Sequence, residues 1–111
     1  MAVKNELEPF TRISVQEAKE MIDAGGVQVV DTREGHEHAD GHVPDSLNIP
    51  HMSTLPRGAE LAQDSPILFI CKSGQRSAMA AEFAATLGLT DLYNVEGGHD
   101  DWVGAGYPME P

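Results

Sequence analysis

The stretch PILFICKSGQRS, Pro66–Ser77, decides the fold that this sequence predicts. It begins with Ile67–Ile70, a short unbroken apolar run that is typical of a strand buried on both faces. The run stops at Cys71, and after a polar segment the chain continues into Ser77–Ala85, whose alanine-rich composition predicts a helix. We therefore expect a thiol at the point where a buried strand ends and a helix begins.

The polar segment after the strand has the composition of a loop that binds an anion. Cys71 is the only cysteine in the chain, and a thiol becomes more acidic at a helix N-terminus and beside cations. Lys72 and Arg76 would supply such cations, and Gly74 allows the positive φ with which a loop curls. The free N–H groups of the loop and of the first helical turn would point at the sulfur. The other residues of the predicted loop are Ser73, Gln75 and Ser77.

Two roles for Cys71 are compatible with this pattern. It can be an ordinary buried small residue, as many free cysteines are, or a thiol that acts as a nucleophile. A purely structural cysteine needs no basic, glycine-bearing loop after it. We therefore interpret Cys71 as a nucleophile and the loop as its anion-binding site.

Length and charge limit the class of protein. The 111 residues predict one domain, with residues 1–8 as a flexible lead-in and residues 9–111 as the domain. The 18 Asp and Glu residues outnumber the 7 Lys and Arg residues, which argues against nucleic acid as a partner because binding it requires basic groups. The sequence shows neither a membrane-length apolar stretch nor a secretory signal, so we expect a cytoplasmic protein without a membrane partner.

Strands and helices alternate along the chain. Apolar runs predict five strands, namely Phe10–Ile13, Val27–Thr32, Ser46–Ile49, Ile67–Ile70 and Leu92–Val95. Between the first two strands, Ser14 and Glu17 form a capping box for a helix that ends near Ala24. This alternation predicts an α/β fold, a small doubly wound parallel sheet of about five strands with helices on both faces.

Several chemically distinctive residues come at or just after the end of a predicted strand. They are Asp31, Cys71 and the pair Gly97-Gly98. The carboxyl ends of parallel strands meet at one edge of a sheet, and folds of this kind bind their ligands there. We therefore expect these residues to converge on one site.

Three stretches of the chain resemble the single-domain rhodanese family, whose members are similar to thiosulfate sulfurtransferases. They are VVDTREGHEHADGHVPDSLNIP (Val29–Pro50), CKSGQRS (Cys71–Ser77) and YNVEGGHDDW (Tyr93–Trp102). The stretches occur in the order and spacing of the family, and the resemblance covers the chain from Ile13 to Pro108. It implies a rhodanese-like fold.

The resemblance also implies a sulfur-transfer cycle without a cofactor or a metal. The Cys71 thiolate would take a sulfane sulfur from thiosulfate, a persulfide or a polysulfide, and would pass it to cyanide, a thiol or a protein. Lys72 and Arg76 would hold the anionic end of the donor. Ser77 would either donate a hydrogen bond to the sulfur or only cap the helix. Animal members that cleave thiosulfate often carry two consecutive basic residues after the cysteine, whereas here Ser73 follows Lys72, which favours a persulfide or polysulfide donor.

Asp31, Arg33 and Glu34 match the Asp-x-Arg-Glu pattern of the family. Asp31 would either orient groups of the loop, for example by pairing with Arg76, or belong to a structural network of ion pairs and caps. We predict the structural network. Replacement of Arg33 should then reduce stability more than turnover.

The histidines allow a metal interpretation that we do not favour. His36, His38 and His42 lie near carboxylates and could ligate zinc, but the segment matches the family pattern without any metal. We expect His42 to fix the turn before Val43-Pro44, and His99 to be a partly exposed residue at a helix start.

Other functions remain open. Cysteine phosphatases and arsenate reductases of a related fold place an arginine six positions after the cysteine, whereas Arg76 follows Cys71 by five. The tighter loop suits a sulfur atom better than a tetrahedral oxyanion. A regulatory binding module usually lacks the cysteine, which this chain retains. A persulfide carrier cannot be separated from an enzyme by sequence.

Overall fold

The computed structural model describes residues 2–111, and these residues form a six-stranded sheet with helices packed against both faces. In chain order the elements are β1 (Val3–Lys4), β2 (Thr11–Ile13), α1 (Val15–Ala24), β3 (Gln28–Asp31), α2 (Gly35–Ala39), β4 (Leu47–Asn48), β5 (Ile67–Ile70), α3 (Gln75–Thr86), β6 (Leu92–Val95) and α4 (Gly98–Gly104). Two short 3-10 helices, His51–Ser53 and Gly58–Glu60, lie between β4 and β5.

The strand order confirms the predicted doubly wound α/β fold. Across the sheet the strands run β1-β2-β6-β5-β3-β4, and all neighbouring pairs are parallel except β1 and β2. The apolar run Ile67–Ile70 forms β5, which pairs with β6 on one side and with β3 on the other. The cysteine that follows this run is therefore placed at the carboxyl edge of the sheet, near its middle.

The side chains of β5 explain why this strand organises two hydrophobic cores. Successive residues of a strand point to opposite faces. Ile67 and Phe69 pack in the core that includes the alanines of α3, whereas Leu68 and Ile70 pack in the core that includes Ala18 of α1. All four strand residues are at most 1% exposed.

The first helix begins and ends as the sequence predicts. The Ser14 hydroxyl accepts a hydrogen bond from the Glu17 amide at 3.1 Å, and the Glu17 carboxylate accepts one from the Ser14 amide at 3.0 Å. The helix stops at Ala24 because Gly25 takes a positive φ of 83°.

Two secondary-structure elements, β1 and α3, differ from the sequence prediction. The segment predicted as a flexible lead-in contains β1, which pairs antiparallel with β2 and adds a strand to the five predicted ones; Met1 of that segment lies outside the described residues. Helix α3 begins at Gln75, two residues earlier than Ser77. Gln75 and Arg76 therefore belong to its first turn and not to the loop. Within residues 2–111 no helix has the length and apolarity to cross a membrane.

Candidate active site

The Cys71 sulfur lies between the end of β5 and the start of α3. The residue is 1% exposed, and the Gly74 amide donates a hydrogen bond to Sγ at 3.0 Å. Gly74 precedes the first turn of α3 with a φ of 105°, in the left-handed region that favours glycine. This conformation confirms the predicted curl of the loop, and it turns an amide toward the sulfur.

Ser77 adds a second hydrogen-bonding group from the first turn of α3. Its Oγ lies 3.4 Å from Sγ. Gly74 is the N-cap of α3 and no side chain bonds to the cap, so Ser77 does not cap the helix. Burial raises the pKa of the Cys71 thiol, but hydrogen bonds from the Ser77 hydroxyl and from the amides of Ser77, Gly74 and Ser73 outweigh burial. The net pKa is below that of an ordinary thiol, which favours the thiolate.

Both predicted cations are engaged by carboxylates. Lys72 Nζ lies 3.0 Å from each carboxylate oxygen of Asp100. Arg76 donates to Glu37 through Nη1 to Oε1 at 2.8 Å and through Nη2 to Oε2 at 3.1 Å. The Arg76 guanidinium lowers the pKa of the Glu37 carboxyl to about 2. At neutral pH the rim of the loop therefore carries balanced charge.

Ser73 of the loop and Gln75 of the first turn of α3 lie on the protein surface. The Ser73 hydroxyl donates to the Gln75 side-chain oxygen at 2.8 Å, and both residues are exposed. Their side chains bond to each other on the outer surface, whereas the amide of Ser73 supports the sulfur from within.

Gly97 and Gly98 allow α4 to approach the backbone of the loop. Their φ values are 79° and 55°, and a Cβ on Gly98 would lie 2.2 Å from the Cys71 carbonyl oxygen. Because α4 comes this close to the loop, the His99 amide donates a hydrogen bond to the Cys71 carbonyl at 2.7 Å. The Asp100 amide donates to the carbonyl of the next loop residue at 3.0 Å. The amides of the first turn of α4 thus hold the backbone of the loop in place.

His99 is buried, so the prediction of a partly exposed residue is wrong. It is 3% exposed, and its Nδ1 lies 3.0 Å from the Cys71 carbonyl oxygen. A carbonyl only accepts hydrogen bonds, so Nδ1 carries the hydrogen. Burial lowers the pKa of His99, and the neutral ring is a second support of the loop backbone.

A profile of the Rhodanese-like domain matches residues 14–105. The chain belongs to the rhodanese-like domain family. Thiosulfate sulfurtransferase GlpE of Actinobacillus pleuropneumoniae serotype 7 (strain AP76) is 33% identical over 103 residues, which are 93% of this chain and 95% of that protein. The protein of the same name from Pseudomonas putida (strain GB-1) is 36% identical over 103 residues, with 91% of each chain covered. The crystal structure of a rhodanese-related protein from Thermoplasma volcanium is 35% identical, with a TM-score of 0.81 over 89% of this chain and 96% of that one.

In this rhodanese-like domain Asp31 and Arg33 form a buried pair behind the loop. Arg33 Nε and Nη2 donate to the two Asp31 carboxylate oxygens at 3.0 and 2.8 Å, and His38 Nδ1 lies 2.8 Å from Asp31 Oδ2. Burial raises the pKa of the Asp31 carboxyl, but the hydrogen bonds to Arg33 and His38 lower it by a larger amount. The net pKa of Asp31 is therefore below its ordinary value. Asp31 thus pairs with Arg33 and not with Arg76, in agreement with the predicted structural network.

His42 belongs to the same network and not to the loop. Its ring stacks on His38 with centroids 3.6 Å apart, and its Nδ1 lies 2.8 Å from the His38 carbonyl. Its backbone pairs with that of Glu110. His42 therefore fixes the turn before Val43-Pro44 and also holds the C-terminal segment. Within the described part of the chain, no group of three or more His, Cys, Asp or Glu side chains is arranged to hold a metal ion.

A cleft of about 340 Å³ opens beside the loop of the rhodanese-like domain. It lies between the α2 side, with Glu37 and Asp40, and the α4 side, with Asp100 and Val103, and Lys72 lines it from the loop. The cleft offers space next to the loop for the body of a small molecule.

Three residues at the site were not predicted from the sequence: Asn94, Glu37 and Asp100. Asn94 lies in β6, with its side chain bonded to Ser77 and to the Gly74 carbonyl. A polar residue in a predicted buried strand was the available signal for Asn94. The partners of Lys72 and Arg76 gave no such signal, because they come from α2 and α4.

Proposed function

We propose that this chain is a sulfurtransferase that carries a sulfur atom on Cys71 as a persulfide. The supporting observation is the environment of Cys71. Its Sγ accepts a hydrogen bond from the Gly74 amide and faces the Ser77 hydroxyl, and the pKa of its thiol is lowered. The thiolate attacks the outer sulfur of a donor R–S–SH, the Sγ–S bond forms, and the donor S–S bond breaks to release RS⁻. With thiosulfate the leaving group is sulfite.

The second half of the cycle returns Cys71 to the thiolate. An acceptor such as cyanide or a thiolate attacks the outer sulfur of the persulfide, and the electron pair of the broken S–S bond returns to Sγ. Thiocyanate or a new persulfide leaves. The inward amides stabilise negative charge on sulfur throughout, as preorganised donors do in other covalent mechanisms.

The paired cations favour a persulfide or polysulfide donor over thiosulfate. Thiosulfate is a dianion and needs uncompensated positive charge near the sulfur. Lys72 and Arg76 each carry a carboxylate partner, and the neutral Ser73 follows Lys72. The sulfur of a persulfide carries at most one negative charge. A persulfide therefore depends less than thiosulfate on positive charge at the rim of the loop.

Mass spectrometry and steady-state kinetics test the proposal together. The intact protein should gain one sulfur atom after treatment with cysteine persulfide, which carries one net negative charge, and the Cys71→Ser variant should gain none. Turnover to cyanide should have a higher kcat/KM with the persulfide than with thiosulfate. If neither donor loads Cys71, the proposed function is wrong; if loading occurs without cyanide turnover, the chain is a carrier and not an enzyme.

A phosphatase is less compatible with the loop. In such an enzyme the arginine would have to hold the phosphate, whereas the Arg76 guanidinium here is held by both oxygens of Glu37. We expect no hydrolysis of p-nitrophenyl phosphate under conditions in which Cys71 accepts sulfur. Hydrolysis without sulfur loading would reverse this assignment.

A further inference from the structure

Asn94 is a buried polar residue in the middle of the sheet. It lies in β6, in register with Phe69 of β5 and Arg12 of β2, and it is 0% exposed. A buried amide without partners destabilises a protein by roughly 1–3 kcal/mol. Asn94 therefore needs hydrogen-bond partners inside the protein.

The hydrogen bonds fix which way the Asn94 amide points. Nδ2 donates to the Gly74 carbonyl at 3.1 Å and to Glu96 Oε2 at 2.5 Å. Both partners only accept, so the nitrogen has to face them. Arg12 holds Glu96 in place through Nη1 to Oε1 at 2.8 Å. Consequently Asn94 Oδ1 faces the Ser77 Oγ at 2.5 Å.

This orientation gives the Ser77 hydroxyl hydrogen two possible acceptors. One is Asn94 Oδ1, and the other is Cys71 Sγ, 3.4 Å from Ser77 Oγ. A hydroxyl has one hydrogen, and Asn94 Oδ1 cannot donate. In the thiol form, the S–H can donate to Ser77 Oγ while Ser77 donates to Asn94. In the thiolate form, the same hydrogen is drawn toward Sγ.

We infer that Asn94 is a positioning residue that sets the reactivity of Cys71 by competing with the thiolate for the hydrogen of Ser77. The inference rests on the proposed role of Cys71 as the nucleophile. When Sγ bonds to the donor sulfur, negative charge leaves Sγ and the Ser77 hydrogen returns to Asn94 Oδ1. The thiolate is thus supported without being held so firmly that it loses nucleophilicity, which falls as the thiol pKa falls.

Other charged groups also face the region of Cys71, from the loop, α2, α3, α4 and the segment after β6. They are Lys72, Glu37, Arg76, His99, Asp100 and Glu96. Of these only Glu96 bonds to Asn94, and Arg12 still holds it when Asn94 is replaced. Because the loss of that bond is the same with and without the Ser77 hydroxyl, the difference in pKa change between the two backgrounds reports the competition for the Ser77 hydrogen.

A double-mutant cycle tests the inference. Asn94→Leu keeps the size of the side chain and removes both the Oδ1 acceptor and the Nδ2 donor to the Gly74 carbonyl and Glu96. It is made in the wild-type and the Ser77→Ala backgrounds, so that the effect of the lost donor is common to both. The thiolate absorbance in the ultraviolet, followed against pH, gives the Cys71 pKa. In the wild-type background we expect the pKa to fall by about 1, and the rate constant of the thiolate with a persulfide to fall about threefold. In the Ser77→Ala background we expect a clearly smaller fall, because only the bonds of Nδ2 are lost there.

Two outcomes of the double-mutant cycle would overturn the role inferred for Asn94. An unchanged or raised pKa in Asn94→Leu overturns the inference, and so does an equal fall in both backgrounds, because Asn94 would then act through the loop backbone. Circular dichroism checks the fold, and Asn94→Val, whose β-branched side chain suits a strand, replaces the leucine variant if that one does not fold. The titration requires no sulfur transfer, so it stays decisive even if the proposed function fails.

Discussion

The Arg76 guanidinium and the Glu37 carboxylate form a two-pronged ion pair, with N–O distances of 2.8 and 3.1 Å, that joins α3 to α2 beside the Cys71 loop. Pairs of this geometry combine charge with two parallel hydrogen bonds. The pair thereby engages the arginine that the family resemblance assigns to the donor. The charge that the loop presents to an anion is set by α2 as much as by the loop itself.

Replacement of Glu37 should improve the use of thiosulfate. In Glu37→Gln the Arg76 charge is no longer balanced, and a dianionic donor gains an attraction of up to about 1 kcal/mol, typical of partly exposed pairs. We expect kcat/KM for thiosulfate to rise about threefold, with a smaller change for a persulfide. Glu60→Gln, which breaks the remote pair between Arg57 and Glu60, is the control with the same change in net charge. A similar gain in both variants would mean that overall charge, and not Arg76, limits thiosulfate.

Removal of the Ser77 hydroxyl should raise the pKa of the Cys71 thiol. The hydroxyl is one of the groups that lower this pKa, and a hydrogen bond to a charged group corresponds to a rise of about 1 in pKa. The titration of thiolate absorbance in Ser77→Ala measures it. Ser73→Ala serves as the matched control, because the Ser73 hydroxyl bonds to Gln75 and not to Sγ. Equal shifts in the two variants would contradict the assignment of Ser77.

A side chain at Gly98 should displace the loop. The Cβ of Gly98→Ala would meet the carbonyl oxygens of Cys71 and Lys72 at 2.2 and 2.6 Å, and the backbone there has a positive φ. We expect a loss of about 3 kcal/mol in the free energy of unfolding, measured in urea, together with slower loading of Cys71. Gly104→Ala, whose Cβ would meet no atom within 4 Å, should not reduce stability and should leave the loading of Cys71 unchanged. A Gly98→Ala protein of wild-type stability would show that α4 does not hold the loop.

Loss of the buried Asp31–Arg33 pair should reduce stability more than turnover. Arg33→Ala leaves a buried carboxylate without its main partner, and breaking such pairs destabilises proteins by about 3–5 kcal/mol. Urea unfolding and sulfur-transfer rates on the same preparation compare the two effects at a temperature where the variant is folded. Retained stability with lost activity would reverse the structural assignment.

Protonation of Glu37 in acid should lower the free energy of unfolding. Its pKa of about 2 in the folded protein is below the ordinary value of 4.5, so its contribution to stability is complete above pH 4.5 and declines as the pH falls toward 2. Urea unfolding over this range should show a smaller decline for Glu37→Gln than for the wild type. Parallel curves would mean that the ion pair does not stabilise the fold.

The strands and the central loop could be predicted because their signals are local. Ile67–Ile70 is uniformly apolar, and the polar segment after it changes composition abruptly. The curl at Gly74 follows from a residue that tolerates positive φ. The sequence also predicted that Gly97-Gly98 lies at the site, but not how closely Gly98 approaches the loop backbone. The capping box of Ser14 is likewise contained within one helical turn.

The features that escaped prediction depend on partners distant in sequence. Strand β1 has two exposed residues, Val3 and Lys4, and only its pairing with β2 defines it. Arg76 meets Glu37 from 39 residues away, and Ser77 meets Asn94 from 17 away. Such pairings are set by how the elements pack, which composition and periodicity do not encode.

The outer strands of the sheet have a consequence for the behaviour of the protein in concentrated solution. As far as residues 2–111 define the sheet, its borders are β1 and β4, and each is two residues long. Long, flat borders invite another chain to add a strand, whereas very short ones and lysine at the border discourage it. Lys4 lies on one border, and prolines at positions 44 and 50 flank the other. We therefore expect these borders to pair poorly with strands of other chains, so the folded protein should resist aggregation through its sheet.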